Sequence, residues 1–135
     1  MKYVYPAIFH PEEEGGYSVF FPDLPGCFTQ GETMADAIDM AEDALSLMLW
    51  HMEKEKQSIP TAQDARTVKA ETGDYVTLVK ADTTEYQKKH DNRAVKKTLS
   101  IPAWLNNLAV EKGINFSNVL QQALIKTLNV GKKDA

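Results

Sequence analysis

From Arg93 onward the chain offers one strand and two helices and nothing else to bury them against. Residues 93–101 (RAVKKTLSI) alternate, with Val95, Lys97, Leu99 and Ile101 on one face and Lys96, Thr98 and Ser100 on the other. Pro102 fits the first position of a helix. Leu105, Leu108 and Ala109 repeat along that helix, and Gly113 stands where it stops. Asn115 can cap a second helix with Val119, Leu120, Ala123, Leu124 and Leu128 in its apolar stripe. A unit of about 38 residues is too small for a sufficient core, and a lone strand leaves its backbone donors and acceptors unmet. Two copies resolve both problems by pairing their strands into an antiparallel ribbon backed by four helices. The expected dimer core is Leu99, Ile101, Leu105, Leu108, Val119, Leu120, Ala123 and Leu124. Lys97 interrupts the inward face and is expected at the ribbon's end, its ammonium reaching solvent.

Charge sorts the chain in the same place. Residues 1–91 carry 8 Lys+Arg against 17 Asp+Glu, a net −9, and residues 92–135 carry 7 against 2, a net +5. An acidic front and a basic tail imply different partners. The polar face of the paired strands presents two copies of Lys96, Thr98 and Ser100, and a ribbon of that width fits the DNA major groove. The amides at the start of the second helix, near Asn115, are placed to take a phosphate. The competing reading is a plain dimerisation module whose polar strand face is solvated; the +5 charge and the helix-start amides favour DNA.

The front half reads as a small sheet over a long helix. Residues 2–9 (KYVYPAIF) and 17–21 (YSVFF) are aromatic and β-branched, and His10-Pro11-Glu12-Glu13-Glu14-Gly15-Gly16 between them is turn-forming, which predicts a hairpin. Tyr3, Tyr5, Ala7 and Phe9 make one face apolar and Val4 and Ile8 the other, so the sheet is expected to be covered twice, by its own helix and by another chain. Pro6 predicts an edge position for the first strand. A short third strand is expected around residues 27–30. Thr33 is the expected N-cap, with Asp36 as a shorter capping-box acid. Met34, Ala37, Ile38, Ala41, Leu45, Met48, Leu49 and Met52 then form a helical stripe that ends near Lys56. Residues 60–73 read as loop, 75–80 (YVTLVK) as a further strand, and 83–91 as a polar connection of one or two helical turns.

The residues argue against catalysis. The first two strands offer no carboxylate, whereas a two-metal nuclease site needs several converging from the sheet. Glu12, Glu13 and Glu14 form a solvated charge run, and Asp23 suits turn capping better than chemistry. His10, His51 and His90 are too far apart in sequence for a local metal motif. Cys27, the single cysteine, has no evident base partner and excludes an internal disulfide or multi-cysteine zinc pattern. Trp50 and Trp104 read as packing residues. No cofactor is expected. No stretch approaches the ~18 apolar residues of a membrane span, and the opening MKYVYPAIFHPEEEGG lacks the marks of a signal peptide, so the expected location is the cytoplasm.

Two resemblances sharpen this reading. The tail KKTLSIP followed by two helices resembles the ribbon-helix-helix family of bacterial repressors. That likeness implies base-edge contacts from Lys96, Thr98 and Ser100, and phosphate contact at Asn115, Phe116 and Ser117, mostly through backbone amides. Serine and threonine stand where many relatives carry arginine or asparagine, which either weakens base readout or shifts it toward Lys96. The front string EGGYSVFFPDLPGC, then TQGET, then Ala37 and Ala44, resembles the HicB antitoxins, and the likeness continues through Ile59-Pro60 and the strand after Gly73. It implies an α+β chain: a degenerate RNase H-like domain at 1–82, a linker at 83–91, a ribbon-helix-helix unit at 92–130 and a tail at 131–135. It also implies a HicA-type ribonuclease toxin as partner, operator DNA and a homodimer through the tail; tail pairing and front-unit contacts together would make a tetramer that binds two adjacent half-sites. A basic, RNA-binding toxin suits an acidic front unit, with the second apolar sheet face supplying contact area. Two other readings compete. One is a ligand-sensing ribbon-helix-helix repressor with no toxin partner; the other is a metal-dependent hydrolase using Asp23.

Overall fold

The structure is a computed structural model that describes residues 1–130; the expected tail at 131–135 lies outside the described residues. The chain divides into two compact units, one of Met1–Asn92 and one beginning at Arg93.

The first unit is α+β. Strands β1 (Lys2–Pro11), β2 (Tyr17–Phe20), β3 (Phe28–Gly31) and β4 (Tyr75–Asp82) form one antiparallel sheet in the order β3-β2-β1-β4. Its inner face carries Tyr5, Ala7 and Phe9 from β1, Val19 from β2, and Val79 and Ala81 from β4, all buried. Helix α1 (Met34–Lys54) lies against that face through Ala37, Ala41, Leu45 and Leu49, none of which is reached by solvent. Phe21, Leu24 and Cys27, from the turn between β2 and β3, close the same core.

Small residues set how closely α1 approaches. A Cβ on Gly31 would stand 2.4 Å from the Ala37 amide nitrogen and 2.5 Å from its Cα. Only glycine therefore lets the end of β3 meet the first turn of the helix. That turn is capped as expected: Thr33 Oγ1 accepts from the Asp36 amide at 3.0 Å. The Asp36 carboxylate accepts from the Glu32 amide at 2.9 Å, one residue short of the usual return bond to the N-cap amide. At the far end Lys56 takes a left-handed conformation, and the Gln57 amide bonds back to the Met52 carbonyl, a Schellman closure.

One front-unit expectation changes. Strand β1 is interior, not an edge; Pro6 is fully buried and sits opposite Leu78 of β4. It is tolerated because β2 ends at Phe20, opposite Ile8, so β1 has a neighbour on only one side at the proline. The one or two helical turns expected at residues 83–91 form helix α2 (Thr83–His90), capped by Asp82 and packed on α1 through Tyr86 and Trp50, whose ring centroids lie 5.5 Å apart. Its Thr83 is buried, donating to Glu53 Oε2 at 3.0 Å while its amide bonds the Met1 carbonyl.

The second unit holds helices α3 (Ala103–Glu111) and α4 (Phe116–Leu128). Pro102 is the N-cap of α3 and not its first helical residue, and Gly113 ends it at φ 66°. Residues 93–101, expected as a strand, carry no regular structure in the single chain. The physical reason is that a strand's ladder needs a second strand, and the unit contains only this one. The apolar stripes of α3 and α4 are correspondingly open: Leu105, Leu108, Ala123 and Leu124 are exposed and Leu120 is half-buried.

Gly31→Ala is expected to destabilise the front unit by roughly 1–3 kcal/mol, the range for forcing an extra methyl group into a packed site. Urea unfolding followed by the tryptophan signal measures it; a midpoint equal to the wild type would mean that β3 and α1 are not in close contact.

Candidate functional site

Two surfaces of the first unit differ in chemistry. On the solvent side of α1, Asp36, Asp39, Glu42 and Asp43 are exposed together with Met40. A groove continues from them between the helix start and the hairpin turn, lined by Glu12, Glu14, Glu32 and Asp36. This side is strongly acidic. The other surface is the outer face of the sheet, which no element of α1 covers. There Phe28, Phe20, Ile8 and Val76 stand opposite one another across all four strands. Leu78 and Val4 continue the face toward the far end of β1 and β4, 60% and 50% exposed. The two surfaces adjoin at one edge, where Asp39, Glu42 and Asp43 of α1 line a groove together with Lys2, Val4 and Lys80.

Beyond the apolar row, the outer face ends in Gln30, Ser18 and His10, opposite one another in the ladder. His10 Nδ1 and Asp74 Oδ1 are 2.6 Å apart, with the Asp74 side chain buried and the imidazole partly open. Glu71 brings its carboxylate within 4.8 Å of both, so these three side chains are the group best placed to hold a cation among the described residues. Sequence spacing could not reveal them, because the pairing of β1 with β4 joins positions 64 residues apart. The hydrogen bond to Asp74 raises the His10 pKa above its ordinary 6.5; burial opposes this, and the Asp74, Glu12 and Glu71 charges add to it.

The other candidates for chemistry have structural duties. Asp23 caps no local turn; its carboxylate accepts from the Gln63 amide at 3.2 Å and from Gln63 Nε2 at 3.0 Å, tying the β2–β3 turn to the segment after α1. Tyr5 donates to the Pro60 carbonyl beside it. Cys27 is buried, and burial pushes its thiol up to about 11, far from a nucleophile's range. Trp50 takes the Lys54 ammonium 4.2 Å over its ring as well as Tyr86 at its side. Trp104 is largely exposed.

In the second unit Lys96, Thr98 and Ser100 lie exposed on the segment before α3. Asn115 is the N-cap of α4, its Oδ1 accepting from the Asn118 amide at 3.0 Å. The cap satisfies one of the first-turn amides, and Phe116 and Ser117 precede it at an exposed helix start. On the opposite stripe Leu99 is 63% exposed and Val119 53%.

Comparison with known proteins gives a consistent result. The model of a family described as HicB-like antitoxin of bacterial toxin-antitoxin systems matches residues 5–123. Antitoxin HicB 1 of Photorhabdus laumondii is 45% identical over 56 residues, 42% of this chain and 36% of that protein. Escherichia coli antitoxin HicB is 54% identical over 41 residues, 30% of each chain. The chain thus spans about a third of the length of these curated relatives. Among solved structures, a toxin-antitoxin complex from Streptococcus pneumoniae contains a chain similar over 94% of this one and 99% of its own length, at 26% identity and a TM-score of 0.62.

A group whose pKa is raised on folding adds stability below its unfolded value and loses that contribution as pH rises through the folded value. The His10–Asp74 pair is therefore expected to support the front unit fully below pH 6.5 and less as His10 deprotonates above it. Urea midpoints of wild type and His10→Gln, taken from about pH 5 to about pH 9, should converge with rising pH; a constant gap would show that the pair is not formed.

Proposed function

Because the chain belongs to the family of HicB-like antitoxins of bacterial toxin-antitoxin systems, we propose that it binds and neutralises a small HicA-type mRNA-cleaving ribonuclease and represses its own operon. The observation that carries this reading is the reach of the family match, which runs through the front unit and into α4. The acidic side of α1 supports the first activity. A protein that holds RNA is positively charged along its binding surface, and Asp36, Asp39, Glu42 and Asp43 offer it a counter-surface on one rigid helix. The front unit is read as a degenerate RNase H-like domain: β1, β2 and β3 contain no carboxylate, and the one on β4, Asp82, is engaged in capping α2. Neutralisation then works by occupying the toxin and not by chemistry on it.

The tail supports the second activity. A segment alternating Val95, Leu99 and Ile101 with Lys96, Thr98 and Ser100 becomes a ribbon once a second copy pairs with it. Pairing buries Leu105, Leu108, Val119, Leu120, Ala123 and Leu124 between four helices, and it turns two sets of polar strand residues outward into the major groove. The start of α4, with the Phe116 and Ser117 amides, then faces a backbone phosphate.

Co-purification from cells expressing the chain with its native flanking genes tests the first activity. A small basic protein is expected in stoichiometric amount, cleaving RNA once freed. No partner, with operator binding intact, would shift the function to a ligand-sensing repressor. For the second, Lys96→Ala is expected to lower the salt slope of operator binding by about 1 if the ammonium contacts a phosphate. If it reads a base, the expected cost is about 1–3 kcal/mol and depends on operator sequence. Unchanged binding in fluorescence anisotropy would remove Lys96 from the DNA face.

A further inference from the structure

The cluster at the polar end of the outer sheet face has no part in either activity proposed above. It joins separate pieces of the chain: His10 belongs to β1, Asp74 directly precedes β4, and Glu71 opens the turn before it. That turn holds its two carboxylates in place. The Asp74 amide donates to the Glu71 carbonyl at 3.0 Å, and the Glu71 amide donates to Asp74 Oδ2 at 3.2 Å. Gly73 between them takes φ 93°, a conformation that side chains rarely adopt. Asp74 Oδ1 is left to face His10 Nδ1 at 2.6 Å, from a side chain 4% exposed against 41% for the imidazole.

Two features of this group go beyond an ion pair. The first is its donor set. One imidazole nitrogen and two carboxylates, all within 4.8 Å of one another, make the mixed nitrogen and oxygen set that suits zinc and its first-row neighbours. Calcium and magnesium favour oxygen alone. The second feature is charge. Glu12, which accepts from Ser18 opposite His10, adds a third carboxylate around one imidazole. Among the described residues no lysine or arginine is ion-paired with Glu12, Glu71 or Asp74. One proton on His10 leaves most of that charge unbalanced, and a divalent ion balances more of it. The movement required is small. Bonds of about 2.0–2.2 Å to a tetrahedral ion place its donors roughly 3.4 Å apart. The partly open imidazole therefore backs away from Asp74 by less than about 1 Å, and the exposed Glu71 side chain closes on them. We infer that His10, Glu71 and Asp74 form a site for a divalent cation of the zinc class, with a fourth position open to water. The bound ion pins the 71–74 turn to the end of β1, reinforcing a tie between positions 64 residues apart.

The test is a calorimetric titration of zinc into the full chain after treatment with a chelator, alongside magnesium. One zinc ion per chain is expected, saturating at micromolar concentrations, with no comparable heat from magnesium. In nuclear magnetic resonance spectra the His10 ring signals should move on binding, while those of His51 and His90 stay. Zinc should also raise the urea midpoint of the front unit, because the ion binds the folded arrangement. Glu71→Gln changes an exposed side chain and leaves the His10–Asp74 pair in place, so it tests the site without risk to folding. It should weaken zinc by at least the roughly 10–100-fold lost with a supporting group of a metal site, and His10→Gln should do the same. No zinc binding by the wild type overturns the inference. So does binding that both variants retain, or a shift of the His51 or His90 signals in place of those of His10.

Discussion

The contact between α1 and the inner face of the sheet is the constraint on which the first unit depends. It is made by a stripe that begins small, at Ala37 and Ala41, and ends large, at Leu45 and Leu49. Gly31 makes room for it on the β3 side. The taper matches the sheet: β3 meets the helix near its start, while Tyr5, Phe9 and Val79 supply larger side chains to the core. Because that stripe is buried, the helix turns its carboxylates outward as a group. The electrostatic character of the front unit is therefore a by-product of how its core is packed.

The same packing divides the labour between two surfaces. One sheet face is closed by α1, so every second residue of each strand is committed to the core. The alternate residues have no helix of their own. In a solitary domain they would be polar; here Phe20, Phe28, Val76 and Leu78 are not.

Much of this was legible in the residues. The hairpin, the Thr33 cap, the long helix, the strand after Gly73 and the two tail helices all follow from local rules of periodicity and capping, and those rules act within a few residues. What was not legible is long-range. Pro6 pointed to an edge, because sequence does not show that β2 stops two residues short of it. The His10–Asp74 pair and the Asp23–Gln63 tie join positions 64 and 40 residues apart, which only strand order and loop return bring together. The helical turns of α2 follow from its sequence, but its place on α1 depends on one tyrosine meeting one tryptophan. The charge split located the two halves, but not the side of the sheet on which the negative charge would lie.

The second unit shows the opposite relation between sequence and structure. Its alternation predicts a strand over 93–101, and none forms among the described residues of the single chain, where residues 94–101 have no second strand to build a ladder with. The apolar stripes of α3 and α4 share that incompleteness: residues spaced for burial stand open. The dimer proposed above removes both defects in one operation, a two-fold pairing of identical segments, and brings the Lys96, Thr98 and Ser100 of two copies side by side on one surface. On that proposal the DNA-reading surface exists only in the pair, so any step that separates the copies removes it. Assembly and operator recognition are then a single equilibrium, which a partner held on the front unit biases only by favouring one state of assembly over another.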